Sequence, residues 1–68
     1  MDKNPLFSII ISNYNYENYV REAIDSALSQ DWPNKEVIVV DDGSTDNSKD
    51  AINSYGDTIL SIFQENAG

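Results

Sequence analysis

The sequence predicts an α/β protein in which three parallel strands alternate with two helices in the order β-α-β-α-β. An apolar run with β-branched residues over 6–12 has the composition of a buried strand, and four consecutive β-branched residues over 37–40 have that of a strand buried on both faces. Apolar residues recur with helical spacing between these runs and again after the second. Because strands that alternate with helices pair through right-handed crossovers, a parallel sheet is expected.

The first strand, over 6–12, is followed by polar turn formers and then by a predicted helix over 16–30. Asn15 is the expected N-cap of this helix. The apolar side chains of the helix fall on one face, which we expect in the core: Tyr16, Tyr19, Val20, Ala23, Ile24, Ala27 and Leu28. Trp32, next to a proline that ends the helix, is expected to anchor the following loop.

The second strand, over 37–40, leads directly into two carboxylates, Asp41 and Asp42. Gly43 follows and permits a tight turn. Since ligands of open α/β sheets bind outside the carboxyl ends of the strands, both aspartates are candidate site residues. Two interpretations stay open at this point: the pair faces a ligand, or both side chains only stabilise the turn and the next helix terminus.

A second, shorter helix is predicted over 46–55, with Ser44 or Thr45 as its cap and Gly56 as its end. A third strand is predicted over 58–63. Three parallel strands form a thin sheet with two exposed edges, whereas parallel sheets are normally covered on both faces. We therefore interpret residues 1–68 as the N-terminal fragment of a larger catalytic domain.

The composition excludes several functions. The chain has 12 acidic and 4 basic residues, a formal net charge of −8, no cysteine and no histidine. The negative charge argues against binding nucleic acid or an anionic membrane. Disulfides, thiolate metal sites and a histidine base are ruled out. No apolar run is long enough for a transmembrane segment, and the start has no signal-peptide pattern, so a cytoplasmic protein is expected.

The residues after the first strand are the second group of site candidates. If the first two strands pair, Ser12, Asn13 and Tyr14 lie beside Asp42. An aromatic ring next to a carboxylate suits a flat heterocycle, which would stack on Tyr14 and donate to Asp42. The alternative is an ordinary half-buried tyrosine. The glycine motif of dinucleotide-binding folds and the Walker A loop are both absent.

Two segments, 8–15 and 30–46, closely resemble the start of family 2 glycosyltransferases, which are GT-A fold enzymes that use nucleotide-activated sugars. The most specific part is the hydrophobic run followed by Asp-Asp-Gly-Ser-Thr-Asp. The resemblance covers about 6–68, including the closing Gln-Glu-Asn-Ala-Gly. Ser12 and Asn13 stand where many members have Pro-Thr.

The resemblance implies the opening half of a GT-A, Rossmann-like nucleotide-binding domain and a nucleotide-diphosphate sugar as donor, with a UDP-sugar favoured. It implies that Tyr14 lies against the nucleobase, that Ser12 lies beside it, and that Asp42 bonds the edge of the uracil ring. Asn13 and Asp41 are carried over as their neighbours. The implied enzyme is an inverting transferase whose acceptor cannot be identified from these residues.

The resemblance also implies that the metal-binding Asp-x-Asp, the catalytic base and the acceptor site lie beyond Gly68. No catalytic or metal-binding residue is therefore expected within the chain, while Mg²⁺ or Mn²⁺ is expected for the full-length enzyme. The isolated chain is expected to be inactive, to bind nucleotide weakly or not at all, and to self-associate through an exposed strand edge. The alternative is a non-catalytic α/β interaction module that self-associates in the same way.

Overall fold

The computed structural model describes residues 6–31 and 34–65 and confirms the predicted β-α-β-α-β order. Its regular elements are β1 (Phe7–Asn13), α1 (Glu17–Leu28), β2 (Lys35–Asp42), α2 (Ser48–Asn53), a 3₁₀ turn (Gly56–Thr58) and β3 (Leu60–Gln64). Trp32 and residues 66–68 lie outside the described residues. The predicted role of Trp32 as a loop anchor therefore concerns a residue outside the described part.

The three strands form one parallel sheet in the order β1-β2-β3. In the register of β1 on β2, Ile9 lies opposite Val37 and Asn13 lies opposite Asp41. Asp42 lies opposite Gln64 of β3. The carboxyl ends of all three strands therefore meet at one edge of the sheet.

Both helices cover the same face of the sheet. The buried core joins α1, α2 and β2, and it consists of Val20, Ile24, Ala27, Val37, Val39, Ala51, Ile52 and Ile59. Because side chains alternate along a strand, the odd-numbered positions of β2 point into this core while the even-numbered ones point away.

The opposite face, which we call the open face, carries Ile10, Leu60 and Ile62 as exposed side chains, with Ile38 and Val40 half-buried between them. Ile10 is 65% exposed. The predictions of a buried first strand and of a second strand buried on both faces are therefore wrong for the described residues, because both helices pack on the same side of the sheet.

The prediction that two tyrosines of the first helix lie in the core is wrong. Tyr16 and Tyr19 are 65% and 58% exposed instead of lying in the core. The sheet-facing stripe of α1 starts at Val20, and the two rings pack edge to face with centroids 6.3 Å apart.

The predicted caps are also wrong. Tyr16 occupies the N-cap position of α1 and Asn47 that of α2, and neither side chain makes a capping hydrogen bond. Asn15 and Ser44 bond elsewhere, as described below. The predicted stop of the second helix at Gly56 is wrong as well: α2 ends at Asn53 with Ser54 as its C-cap, and Gly56, whose φ is 57°, begins the 3₁₀ turn.

Candidate functional site

The parallel register brings the predicted site residues of β1 and β2 to the same edge of the sheet. Asn13 and Asp41 are direct partners across the two strands. Asp42 is the last residue of β2, and Tyr14 is the first residue after β1. The structure thus places these four residues at the tips of two adjacent strands.

Asp41 points into the interior. Its side chain has 0% exposure. The carboxylate accepts hydrogen bonds from Asn13 Nδ2 at 2.9 Å, from Ser44 Oγ at 2.6 Å and from the Ser44 backbone N–H at 3.0 Å. Every charge-bearing oxygen of Asp41 is therefore occupied by a donor from within the chain.

These hydrogen bonds keep Asp41 ionised. Burial alone raises the pKa of the Asp41 carboxyl, but the hydrogen bonds from Ser44 and Asn13 lower it, and the positive charge of Lys49 lowers it further. The net effect is a pKa below the ordinary value of 3.8. Asp41 is a buried carboxylate that joins two strand tips.

Asp42 has the opposite orientation. As an even-numbered residue of β2 it lies on the open-face side and is half-buried, and its only described partner is Gln64 Nε2, at 3.4 Å. Ser12 lies on the same side of the sheet and is exposed, and Tyr14 is 43% exposed. The carboxylate of Asp42 and the groups of Ser12 and Tyr14 are therefore available to a ligand, whereas Asp41 and Asn13 are enclosed.

Asn15 connects the β1–α1 loop (residues 14–16) to the β2–α2 loop (residues 43–47). Its backbone N–H donates to Ser44 Oγ at 2.9 Å. Its side-chain Oδ1 accepts from the backbone N–H groups of Thr45 at 2.7 Å and Asp46 at 3.3 Å. The sequence predicted Asn15 as the cap of α1, whereas its partners lie in the β2–α2 loop, 29 to 31 positions away in the chain.

A second pair of bonds ties the first residue of α1 to the β2–α2 loop. Asp46 Oδ2 accepts from the Glu17 backbone N–H at 3.3 Å, and Glu17 Oε1 accepts from the Asn47 backbone N–H at 3.2 Å. Asp46 Oδ1 also accepts from the Ser48 N–H at 2.9 Å, and hydrogen bonding from Ser48 is the main reason that the pKa of Asp46 is lowered. Glu17 and Asp46 thus each accept a hydrogen bond from a backbone N–H of the other segment.

A cleft of about 390 Å³ opens beside this junction, between the β2–α2 loop and the end of β3. Its lining combines backbone and polar groups with one cation and one aromatic ring: Gly43, Ser44, Thr45, Lys49, Phe63, Gln64 and Glu65. Gln64 reaches from this lining to Asp42. Asp42 does not line the cleft itself and is connected to it through Gln64.

The described residues do not fit the metal ion that the resemblance implies. No group of three His, Cys, Asp or Glu side chains lies together in this part of the chain. Asp41 accepts three hydrogen bonds from within the chain, so its oxygens are not open to a cation. The expectation that a cation is held by other residues stays a prediction.

Comparison with known proteins places these motifs in a family. Residues 8–68 match the model of glycosyl transferase family 2. An uncharacterized glycosyltransferase of Rickettsia prowazekii is 55% identical over 65 residues, which cover 96% of this chain and 20% of that protein. A second uncharacterized glycosyltransferase, from Nostoc, is 51% identical over 65 residues, covering 90% of this chain and 20% of the relative.

A third relative, a glycosyltransferase of Streptococcus pneumoniae, is 44% identical over 64 residues, which cover 90% of this chain and 9% of that protein. The chain thus spans about a fifth or less of the length of these relatives. No helix in the described residues is long and apolar enough to cross a membrane. With a family match over residues 8–68, the chain belongs to glycosyl transferase family 2.

Proposed function

We propose that this chain forms the nucleotide-binding part of a glycosyltransferase that takes a sugar from a nucleotide-diphosphate donor, with inversion at the sugar. The family membership supports glycosyl transfer. The observation that carries the more specific proposal is the pairing of Asn13 with Asp41, which brings Ser12 and Tyr14 to the same edge as Asp42. In open α/β sheets this edge is where nucleotides bind.

The roles of the site residues follow from their exposure. Tyr14 offers an aromatic face for stacking on the nucleobase. Asp42 offers a carboxylate that accepts a hydrogen bond from a ring N–H, as the N3–H of uracil provides, so a uridine nucleotide is favoured. Ser12 lies beside them with a hydroxyl that donates or accepts. Asp41 and Asn13 support this arrangement from beneath without touching the ligand.

The remaining chemistry requires groups outside the described residues. Transfer breaks the bond from the anomeric carbon to the diphosphate and forms a bond to an acceptor hydroxyl. A divalent cation would neutralise the departing diphosphate, and a base would take the acceptor proton. The chain's net charge of −8 makes this need for a cation more acute, since Lys49 is the one cation that lines the described cleft.

Calorimetric titration of the intact natural protein with uridine diphosphate tests the proposal. Asp42→Ala and Tyr14→Ala are each expected to weaken binding about tenfold, which is the effect of losing one good hydrogen bond or one stacked ring. Asp57→Ala is the matched control, because Asp57 is exposed in the 3₁₀ turn at the other end of β3. Equal affinities for the wild type and both site variants would contradict the proposal.

A further inference from the structure

The tripeptide Asn13-Tyr14-Asn15 holds one exposed aromatic ring between two asparagines that both bond to the β2–α2 loop. Asn13 Nδ2 donates to Asp41 at 2.9 Å and to Ser44 Oγ at 3.2 Å. Asn15 bonds to Ser44 through its backbone and to residues 45 and 46 through its side chain. Tyr14 is therefore fixed to the second loop on both of its flanks.

The backbone of Asn15 is in a conformation that few residues adopt. Its φ is 56°, and it is the one non-glycine residue with positive φ in the described part of the chain. Glycine, asparagine and aspartate tolerate this region, whereas other side chains meet steric resistance. Asn15 thus meets two demands together: a left-handed backbone, and an acceptor oxygen for the N–H groups of Thr45 and Asp46.

The loop that Asn15 holds starts directly after Asp42. Residues 43–47 carry Ser44, Thr45 and Asp46, the three residues to which Asn15 is bonded. The relative positions of Tyr14 and Asp42 therefore depend on the bonds of Asn15. This dependence requires no contact between Asn15 and a ligand. The side chain of Asn15 bonds to the β2–α2 loop and does not cap α1, the helix that follows it.

From this geometry we infer that Asn15 is a positioning residue for the donor site: it sets the placement of the Tyr14 ring against the Asp42 carboxylate by tying the β1–α1 loop to the β2–α2 loop. The inference rests on the proposed function, since it assigns Asn15 a role in nucleotide affinity. It goes beyond that function by naming a residue that acts without touching the nucleotide.

Three substitutions separate the two demands on Asn15. Asn15→Gly keeps the left-handed backbone and removes the acceptor. Asn15→Asp keeps both, since only the Oδ1 of Asn15 is used and aspartate supplies an equivalent oxygen. Asn15→Ala loses both. Asn18→Asp controls for the added charge, because Asn18 is exposed on the first turn of α1.

The measurement is uridine diphosphate affinity of the intact natural protein, taken at a temperature where every variant is fully folded. Asn15→Gly is expected to bind about tenfold more weakly, Asn15→Ala at least as weakly as Asn15→Gly, and Asn15→Asp within about threefold of the wild type. Ile24→Val, a core variant, lowers the melting temperature without touching either loop and is expected to leave affinity unchanged. A purely structural role would make affinity follow the melting temperature in all variants.

The outcomes distinguish the inference from the proposed function. If the wild type binds and Asn15→Gly binds equally well, or if Asn15→Asp is as weak as Asn15→Ala, the positioning role is overturned and the proposed function stands. If Ile24→Val weakens binding as much as Asn15→Gly does, the positioning role is overturned as well. If the wild type binds no nucleotide, the proposed function fails and the positioning role fails with it.

Discussion

Asp41 and Asp42 are neighbours in sequence but have opposite surroundings. Asp41 is enclosed and accepts three hydrogen bonds, while Asp42 is half-buried beside the cleft. The sequence predicted the pair as a unit at the end of a strand, and strand alternation separates its members. Of the two interpretations that the sequence left open, the structure supports a structural role for Asp41, while a ligand role for Asp42 stays a prediction.

The buried carboxylate of Asp41 makes stability depend on pH. Its pKa is lower in the folded chain than the ordinary value of 3.8, so the folded state binds the proton more weakly than the unfolded state does. The stabilisation is therefore fully present above the unfolded pKa, and it is lost as the pH falls below about 3.8 toward the folded pKa.

We expect Asp41→Asn to lower the free energy of unfolding at pH 7 by about 1–3 kcal/mol. The amide keeps one acceptor oxygen, and its NH₂ group is a donor that faces other donors. The variant should also lose part of the pH dependence between pH 5 and 2, measured by urea unfolding at several pH values. Asp57→Asn is the control with an exposed carboxylate. If the free energy of unfolding depends on pH in the same way for the wild type and Asp41→Asn, the hydrogen bonds to Asp41 do not lower its pKa.

Long-range bonds explain what sequence reasoning missed at this scale. Asn13 and Asn15 were predicted as turn formers, and Asn15 as a cap, because both roles follow from local propensity. Their actual partners lie 28 to 31 positions away in sequence. Only the parallel register of β1 on β2 brings these groups together, and no local pattern encodes the choice of partner.

At the scale of secondary-structure elements, the end of α1 also depends on a contact that local sequence patterns do not predict. Local pattern predicted the helix to residue 30, whereas it ends at Leu28. The Lys35 ammonium, at the start of β2, donates to the carbonyl of Leu28 at 2.7 Å and also to the carbonyl of Gln30. A cation from the next element thus caps the last helical carbonyls and interacts favourably with the helix dipole.

Removal of this cation should loosen the junction of α1 and β2. We expect Lys35→Met to lower the free energy of unfolding by about 1 kcal/mol, because the carbonyls of residues 28 and 30 lose a charged donor. Arg21→Met changes the net charge equally, and Arg21 is exposed on α1, so it serves as the matched control in chemical denaturation. Equal stabilities of the two variants would argue against a capping role for Lys35.

At the scale of the whole molecule, the residues that the structure describes cover one face of the sheet with helices and leave the other face uncovered. The element order and the parallel pairing were predicted correctly, because hydrophobic periodicity and alternation of strands and helices determine them. The placement of both helices on one side also follows from right-handed crossovers that proceed in one direction across the sheet. The sequence could not show which strand faces would stay open, since both faces of β2 are apolar.

The open face leads to a prediction for the isolated 68-residue chain. Ile10, Leu60 and Ile62 are exposed on it, and β1 and β3 are the edges of the described sheet. Apolar surface and unpaired strand edges favour association, so we expect dimers or larger species in sedimentation velocity at high concentration. Ile10→Lys should shift the distribution toward monomer. A well-folded wild-type monomer at high concentration would contradict this expectation.

The central claim is that Tyr14 and Asp42 share one nucleobase site at the carboxyl ends of β1 and β2. A crystal structure of the intact natural protein with uridine diphosphate tests it most directly. We expect the uracil ring to stack on Tyr14, with its edge N–H donating to the Asp42 carboxylate. A nucleotide bound elsewhere, or Tyr14 and Asp42 on opposite sides of the sheet with no shared cleft, would contradict it.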